Sequence, residues 1–340
     1  MIRLHIPEPL PRMHLAPWFT PIPENMTYQE NLPPNFFETE VARVHEAQAA
    51  QAIVLPNNFR VPLTENVQAH IAHYAALGER VGTPVVVFSL GDLADRISFD
   101  PRVWVLRYSL YKHSASARDI SMPNVVAHDW GAAPAVRTKN AKPRVSFCGL
   151  ALPPAGLARL KYHAKNTWYQ LGALAHPALR ARKSGIYWRR RALDACANSS
   201  LLETNFIIRS TFSGNSKTIE RDPTIVRREF ISSIADADFV LAPKGDGNFS
   251  NRFLEALALG RIPVLIDTDV VLPLESVIDY SKITVRVPMG EVQKTSEYTR
   301  AFYDSLSNEE WQARQRLARA TFEKYLRQDA FLRHFFTTVL

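Results

Sequence analysis

The sequence predicts an α/β protein built from two Rossmann-like domains that follow one another along the chain and face a shared cleft. Three observations lead to this prediction. Short apolar runs alternate with helical or irregular connections, which is typical of parallel sheets. The alternation occurs in both halves of the chain. Between the halves, residues 130–143 are rich in proline, small residues and basic residues, which indicates a linker.

These patterns set the expected domain limits. We place the first domain at 1–138 and the second at 139–326. A last apolar segment, 327–340, is expected to form a helix that packs back on the first domain. A chain of 340 residues is long enough for two domains of ordinary size.

The composition is that of a folded, soluble protein. Hydrophobic residues make up 46% of the chain, and no apolar run approaches the ~20 residues of a spanning helix. Prolines break the N-terminal segment, which has no apolar core of signal-peptide type. The two cysteines, Cys148 and Cys196, are too few for a disulfide scaffold or a zinc site. We therefore expect a cytoplasmic protein without a bound metal.

In the first domain, residues 1–40 combine many prolines with aromatic residues and should form an irregular segment laid over the sheet. The predicted helices and strands that follow are helix 37–50, strand 52–55, helix 65–80, and strands 83–89, 103–106 and 124–127.

In the second domain, the segment 151–182 is basic and shows little period beyond a helical turn at 156–163. The remaining predicted elements are strands 144–148, 205–208, 239–242, 264–266 and 283–287, and helices 188–198, 224–235, 296–306, 308–326 and 329–339.

One unit of the second domain is typical of a phosphate site. The strand 239–242 is followed by a glycine turn at 244–247, and a helix begins near Ser250 or Asn251, both good N-caps. Gly260 suits the end of this helix. The N-terminus of such a helix offers free N–H groups to an anion.

The strand ends of both domains indicate one shared site. In the second domain they carry Gly149, Arg209, the turn 244–247 and Asp267, a cationic, glycine-rich set suited to a diphosphate. In the first domain they carry the pair Gly91-Asp92, Arg107 and the pair His128-Asp129, which suits proton abstraction. This division predicts a two-domain transferase of nucleotide-activated groups.

A longer string in the second domain resembles the C-terminal signature of exostosin-type glycosyltransferases, glycosyltransferase family 47. The similarity covers about 50 residues, 242–288, and weaker similarity extends to 144–149 and 227–230. The residues that carry it are Ser250, Arg252, Phe253, Glu255, Ala256, Gly260, Ile262, Pro263, Val264, Leu272, Pro273, Leu274, Glu275 and 277–281.

The resemblance implies a GT-B fold, a sugar-nucleotide donor, inversion at the anomeric carbon and no obligate metal or cofactor. It also implies that Glu255 accepts hydrogen bonds from the ribose hydroxyls. Arg252, in the first helical turn, can fork onto phosphate oxygens. Taken alone, Arg252 and Glu255 could equally form an i,i+3 surface pair. The full set of donor-binding candidates is Arg144, Gly149, Arg209, Lys244, Gly245, Gly247, Ser250, Asn251, Arg252 and Glu255.

The general base should come from the first domain. Asp92 is the first choice because it follows the strongest strand and the flexible Gly91. Asp129, His128 and Asp119 are the alternatives, and each of them could instead be an ordinary loop or cap residue. Arg107 could contact phosphate or acceptor, or form a salt bridge. Asp267 and Asp269 could cap a turn or touch ligand, and Glu275 and Asp279 could orient arginines or cap a helix.

We expect transfer of a sugar from a UDP-sugar to a glycan or glycolipid hydroxyl, in bacterial surface polysaccharide or lipopolysaccharide synthesis. A retaining GT-B enzyme and a non-catalytic protein that binds anionic polysaccharide or nucleotide stay as alternatives. The net charge of +8 has a basic cluster at 180–191, which could contact the inner face of the membrane. No nucleic-acid-binding motif is present, so nucleic acid is not an expected partner.

Overall fold

A computed structural model describes residues 1–20, 35–60, 62–126, 134–211 and 222–340. The first half of the chain forms a six-stranded sheet in the order β2-β1-β3-β4-β5-β6, and neighbouring strands pair in parallel. Its strands are β1 (Ile2–His5), β2 (Val41–Arg43), β3 (Ala52–Asn58), β4 (Val85–Ser89), β5 (Val103–Arg107) and β6 (Asp119–Ser121).

The second half forms a five-stranded sheet in the order β11-β10-β9-β7-β8, again with parallel neighbours. Its strands are β7 (Arg144–Leu150), β8 (Glu203–Arg209), β9 (Phe239–Leu241), β10 (Ile262–Asp267) and β11 (Val285–Pro288). Two parallel sheets with helical connections confirm the predicted α/β class.

The helices of the described residues cover the faces of these sheets. They are α1 (Phe36–Thr39), α2 (Glu65–Val81), α3 (Gly156–Ala175), α4 (Gly185–Ala197), α5 (Pro223–Ala235), α6 (Asn251–Ala258), α7 (Thr295–Asp304), α8 (Asn308–Thr321) and α9 (Gln328–His334), with π-helical turns at Phe322–Leu326 and Phe335–Val339.

Both faces of the first sheet are buried, and the side chains of each strand point alternately into one core and the other. Val85 and Val87 of β4 point to a core that includes Ile71 of α2. Val86 and Phe88 of the same strand point to the opposite core. A near-continuous apolar strand such as β4 is therefore what a parallel sheet covered on two sides requires.

The core into which Val86 and Phe88 point also contains residues from the C-terminal segment of the chain. Phe331, Phe335 and Phe336 are buried and pack in the same cluster as Leu4 and Phe88 of the first sheet. The chain thus leaves the second sheet after α8, bends at the π-helical turn and ends against the first sheet.

The carboxyl ends of the strands meet where the two halves touch. The backbone of Tyr111 bridges to Val270, and Lys112 N donates to Asp269 O at 2.9 Å. A buried polar link lies nearby, where Asn248 N donates to Ser109 Oγ at 2.7 Å. These contacts hold the two sheets across one cleft.

The prediction of a helix at 37–50 is wrong beyond residue 39. The structure has the short helix α1, then strand β2, whose Val41 pairs with Ile2 of β1. The sequence pattern also missed β1 itself, within the segment that we expected to be irregular. Strands this short contain too few residues for an apolar pattern to be recognised, and they form because their backbones pair with each other.

The predicted strand at 124–127 is also not formed over its described residues, 124–126. The edge strand β6 ends at Ser121, and Pro123, which has no N–H to donate to a ladder, follows it. The weakly patterned segment after 155 is a full helix, α3. The domain boundary at 138 stays a prediction, because part of the linker lies outside the described residues.

Candidate active site

A cavity of about 370 Å³ opens between the two halves of the molecule. From the first half it takes Asp92, and from the second it takes the ends of β7 and β8, the glycine turn and the start of α6. It is lined by Asp92, Cys148, Gly149, Leu150, Ile186, Arg189, Arg209, Val226, Arg227, Phe230, Gly245, Asp246, Phe249, Ser250, Asn251, Arg252 and Glu255. The cleft that the strand ends predicted is therefore present.

The start of α6 faces this cavity with little of its own capping. Ser250 is the N-cap residue, yet its side chain accepts no bond from the first turn. Its Oγ is buried and has no hydrogen-bond partner among the described residues. Together with the open N–H groups of the first turn, this hydroxyl forms a polar end that can receive an anion.

Arg252 crosses the cavity because position 149 has no side chain. Arg252 Nε donates to Cys148 O at 3.0 Å, and its guanidinium lies 4.5 Å from the centre of the Phe147 ring. A Cβ atom at Gly149, where φ is +143°, would overlap this guanidinium. Burial lowers the pKa of Arg252, and the Glu255 carboxylate opposes that shift.

Two ion pairs involve arginines that line the cavity near Arg252. Arg227 Nη1 lies 3.2 Å from Glu255 Oε1, and both side chains are largely buried. Arg209 Nη2 lies 3.0 Å from Glu229 Oε2. Glu255 is therefore placed in the cavity beside an arginine of α5. It is not the partner of a simple surface pair with Arg252.

A fourth cavity arginine comes from α4. Arg189 Nη1 donates to Leu150 O at 2.9 Å. Burial, followed by the neighbouring charge of Arg252, lowers the pKa of Arg189 to about 10. Its helix can approach the glycine turn closely because Gly185 has no side chain. A Cβ at that position would overlap the carbonyl of Gly245. The contact between helix and turn fixes where Arg189 enters the cavity.

Asp92 and Asp246 bring two carboxylates to the rim of the cavity. Burial, and next the charge of Asp246, raise the pKa of Asp92 above its ordinary value, while the Gly247 N–H and Arg60 lower it. Asp92 O accepts from Ser109 Oγ at 3.1 Å. A carboxyl with a raised pKa in a cleft is a candidate for proton transfer.

Two predicted donor residues do not reach the cavity. Arg144 begins β7 at the opposite edge of the sheet, where its Nη2 lies 2.6 Å from Glu203 Oε1. Lys244 is buried, and its Nζ donates to Ala181 O at 2.7 Å and to Tyr111 Oη at 3.0 Å. Burial, then the charge of Lys165, lower the pKa of Lys244 to about 7. Neither Arg144 nor Lys244 therefore lines the cavity.

Gly247 acts at the contact between the halves and not as a cavity wall. A Cβ there would lie 2.9 Å from Asp92 Cα. Gly149, Arg209, Gly245, Ser250, Asn251, Arg252 and Glu255 do line the cavity, as does Asp92.

Of the alternative bases, Asp119 is excluded from the cleft by its surroundings. Its side chain is 3% exposed, and its Oδ1 lies 3.8 Å from Arg107 Nη1, which is fully buried. Arg107 also donates to Leu93 O and Asp95 O, so it is a structural residue of the first domain and not a ligand contact. His128 and Asp129 lie outside the described residues.

The acidic residues near the end of the string 242–288 make ion pairs and a cap within the protein. Asp267 Oδ2 lies 2.7 Å from Arg286 Nε, and Glu275 Oε1 lies 3.2 Å from Arg286 Nη1. Asp269 pairs with His113 of the first domain. Asp279 caps the next turn by accepting from Ser281 N at 3.2 Å.

Among the charged residues of the cavity, three are absent from the site residues that the sequence predicted: Arg189, Arg227 and Asp246. Arg189 belongs to the basic cluster 180–191, for which the sequence suggested contact with the membrane. Arg227 lay within the weaker similarity at 227–230, and Asp246 lay inside the glycine turn. A signal was present for the last two, but only the fold shows that α4 turns one basic residue inward.

The architecture and the site together define a class: a two-domain α/β transferase whose cleft suits a nucleotide diphosphate. The family model of the Exostosin GT47 domain matches residues 176–302, from the end of α3 into α7. The matched segment contains the whole string, 242–288, on which the predicted resemblance rests, and the match supports glycosyltransferase activity. The match includes Arg189, Arg209 and Arg227 but leaves out the first half of the chain.

Two solved structures are similar to this chain. A glycosyltransferase from Rickettsia africae ESF-5 shares 9% identity, covers 83% of both chains and has a TM-score of 0.36. AviGT4, a glycosyltransferase involved in Avilamycin A biosynthesis, shares 11% identity, covers 99% of both chains and has a TM-score of 0.27. We transfer nothing about donor or acceptor from either.

Two features are absent from the residues that the structure describes. No helix in these parts of the chain is long and apolar enough to cross a bilayer. Within the same ranges, no three His, Cys, Asp or Glu side chains come together as metal ligands. That transfer needs no metal stays a prediction.

Proposed function

We propose that this glycosyltransferase moves a sugar from a nucleoside diphosphate donor, with UDP-sugar as the first candidate, to a glycan or glycolipid hydroxyl with inversion. The proposal places the reaction in bacterial surface polysaccharide or lipopolysaccharide synthesis. The observation that carries the donor assignment is the start of α6, where Arg252, Glu255 and the Ser250 hydroxyl, which has no hydrogen-bond partner among the described residues, line one cavity.

In this proposal the diphosphate lies at the start of α6. Arg252 and Arg189 supply positive charge, and the helix N–H groups supply donors, so the leaving diphosphate is stabilised without a metal. Glu255, held beside Arg227, accepts the ribose hydroxyls. The half-buried Phe230 and Phe249 offer apolar surface for the nucleotide base.

The transfer is a single displacement. The acceptor oxygen attacks the anomeric carbon as the bond from that carbon to the diphosphate oxygen breaks. Asp92 takes the proton of the acceptor hydroxyl, and the nucleoside diphosphate leaves as an anion. Burial and the charge of Asp246 raise the pKa of Asp92, and its carboxylate is therefore a stronger base than that of an ordinary aspartate.

The first test is a thermal-shift screen of the purified chain against UDP, GDP, ADP and CMP with their sugar conjugates. Binding of one of them to the folded state should raise the melting temperature. Lack of any shift at millimolar ligand would overturn the donor assignment.

Two variants then separate binding from chemistry. Glu255→Ala should weaken donor binding by tenfold or more, because a charge-assisted hydrogen bond contributes about 1.5–3 kcal/mol. Asp92→Asn should keep donor binding and lower turnover by at least about a hundredfold. Calorimetry measures the first and a product assay the second. An active Asp92→Asn enzyme would rule out Asp92 as the base, and a product of retained configuration would rule out inversion.

The alternative is a non-catalytic protein that binds nucleotide or anionic polysaccharide. It predicts nucleotide binding without turnover for any acceptor. The position of Asp92 in the cavity favours the enzyme, because a binding site for anions gains nothing from a carboxylate at its rim.

Membrane contact through 180–191 loses support from the packing of that segment. Arg182 pairs with Asp95, Lys183 is buried, and Arg189 lines the cavity. Much of the cluster is thus engaged within the protein.

A further inference from the structure

Helix α3 exposes an apolar face that no part of the described chain covers. Its large hydrophobic residues are between 60% and 81% exposed: Leu157, Leu160, Trp168, Leu171 and Leu174. Four of them, at 157, 160, 168 and 171, recur at helical spacing and form one stripe along the helix. Contiguous apolar surface of this kind is uncommon on a protein that contacts only water.

The opposite face of α3 holds the helix on the protein and is unusually polar. Asn166 Oδ1 accepts from Ser184 N at 3.0 Å, just before α4. Tyr162 and Tyr169 are half-buried on the same side, and Ala173 is buried. The usual amphipathic arrangement is therefore reversed, with the apolar stripe directed away from the core.

Basic residues flank the stripe on both sides. Lys161 and Lys165 lie along one edge, and Arg159 and His163 along the other, and all four are exposed. The helix contains no acidic residue. The surrounding segment, 151–200, has nine lysines or arginines and a single acidic residue, Asp194.

We infer that the outer face of α3 docks on the surface of an anionic lipid bilayer. An apolar stripe with tryptophan and leucine, bordered by lysine and arginine, is the arrangement of helices that lie in the membrane interface. The apolar side chains enter the acyl boundary while the basic side chains meet lipid phosphates. Docking of a second copy through the same stripe would bring like charges together, so charge complementarity favours the anionic surface.

The position of α3 connects this docking to the cleft. Residues 151–155 alone separate α3 from Leu150, which lines the cavity, and Leu152 is exposed between them. The next α-helix along the chain, α4, carries Arg189 into the cavity. This second step rests on the proposed function: a docked α3 would hold the cleft where a lipid-linked acceptor presents its hydroxyl.

Flotation of the full chain with vesicles tests the docking. We expect binding to vesicles of phosphatidylcholine mixed with phosphatidylglycerol, and much weaker binding to phosphatidylcholine alone. The triple variant Leu160→Ser, Trp168→Ser, Leu171→Ser should bind the mixed vesicles tenfold more weakly or worse. A matched variant of exposed apolar residues elsewhere, Leu201→Ser, Val277→Ser, Leu317→Ser, should bind like the wild type.

A charge variant tests the flanks. Arg159→Gln, Lys161→Gln, Lys165→Gln should weaken binding to the mixed vesicles by about fivefold per charge, and binding should fall with salt. The variant Arg190→Gln, Arg191→Gln asks whether the basic cluster at 180–191 contributes instead, since both arginines are exposed. We expect its effect to be smaller than that of the α3 charges.

Three results would overturn the inference. They are absent binding of the wild type to anionic vesicles, equal binding of the apolar variant, and a concentration-dependent dimer that the apolar variant abolishes in the absence of vesicle binding. The thermal shift with nucleoside diphosphate should be the same in all α3 variants. A loss of vesicle binding with an intact thermal shift would therefore separate docking from the donor site.

Discussion

At the residue scale, the candidate site depends on the steric room and the ion pairs that position its arginine and carboxylate side chains. Arg252 reaches the cavity because Gly149 leaves room for its guanidinium. Glu255 enters the cavity beside Arg227. The motif identified Arg252 and Glu255, because their spacing on one helix is local. It could not identify Arg189, whose role depends on the packing of α4 against a distant turn.

The pair of carboxylates at the rim gives a prediction about pH. The charge of Asp246 is one cause of the raised pKa of Asp92, so Asp246→Asn should lower that pKa. A base is active when it is ionised, and activity is lost as pH falls through its pKa. The acidic limb of the profile of kcat/KM against pH should therefore move to lower pH in this variant.

The control for that prediction is Asp194→Asn, on an exposed position of α4. Its profile should coincide with that of the wild type. An unmoved acidic limb in Asp246→Asn would mean that Asp92 is not the group that titrates, or that the two carboxylates do not interact.

At the scale of elements, the strands with strong local patterns were predictable, and three short strands of the first sheet were not. β4 carries four buried residues in a row before Ser89, and its place was correct from sequence. β1, β2 and β6 have three or four residues each and depend on pairing with a neighbour. Local sequence holds little information about a strand whose stability comes from its partner.

Helix α3 escaped prediction for a different reason. Its buried side contains tyrosine and asparagine, and its leucines face outward. Its apolar residues do recur at helical spacing, but between Leu160 and Trp168 the stripe contains only Ala164. The helical period is therefore weak in the middle of this segment.

The contact between α4 and the glycine turn gives a second prediction. Gly185→Ala places a Cβ against the Gly245 carbonyl, so α4 must move and Arg189 must leave its position. We expect a lower melting temperature and donor binding at least about fivefold weaker, through the loss of one charged hydrogen-bonding group.

A double-mutant cycle with Arg189→Gln checks the cause. If the glycine acts through Arg189, the two effects on donor affinity should not add. Additive effects would show that Gly185 influences the site by another route. Gly91→Ala serves as the control glycine, because a Cβ at that position would meet no atom within 4 Å.

At the scale of the whole molecule, the two halves are joined by more than a linker. Buried bonds connect Asn248 with Ser109 and with Leu110 O. The C-terminal residues Phe331, Phe335 and Phe336 belong to the first core although they follow the second sheet in sequence. The sequence predicted that the apolar segment 327–340 packs back on the first domain. It could not predict the buried polar link.

This arrangement predicts that one substitution near the C-terminus destabilises the first sheet. Phe335 is fully buried, and Phe335→Ala should cost about 3–5 kcal/mol of unfolding free energy by leaving a cavity. Chemical denaturation measures the loss, and the exposed Thr338→Ala is the control. A change below about 1 kcal/mol would mean that the end of the chain contributes little to the first core.

The return of the chain to the first sheet also affects the order in which the protein can fold during synthesis. Domains usually fold from the N-terminus as they leave the ribosome. Here the core that contains Val86 and Phe88 stays incomplete until residues 331–336 have been translated, because Phe331, Phe335 and Phe336 pack in it. The nascent chain therefore carries partly exposed apolar side chains of the first sheet until that late point, and a stop codon before residue 331 would leave this core without its three phenylalanines.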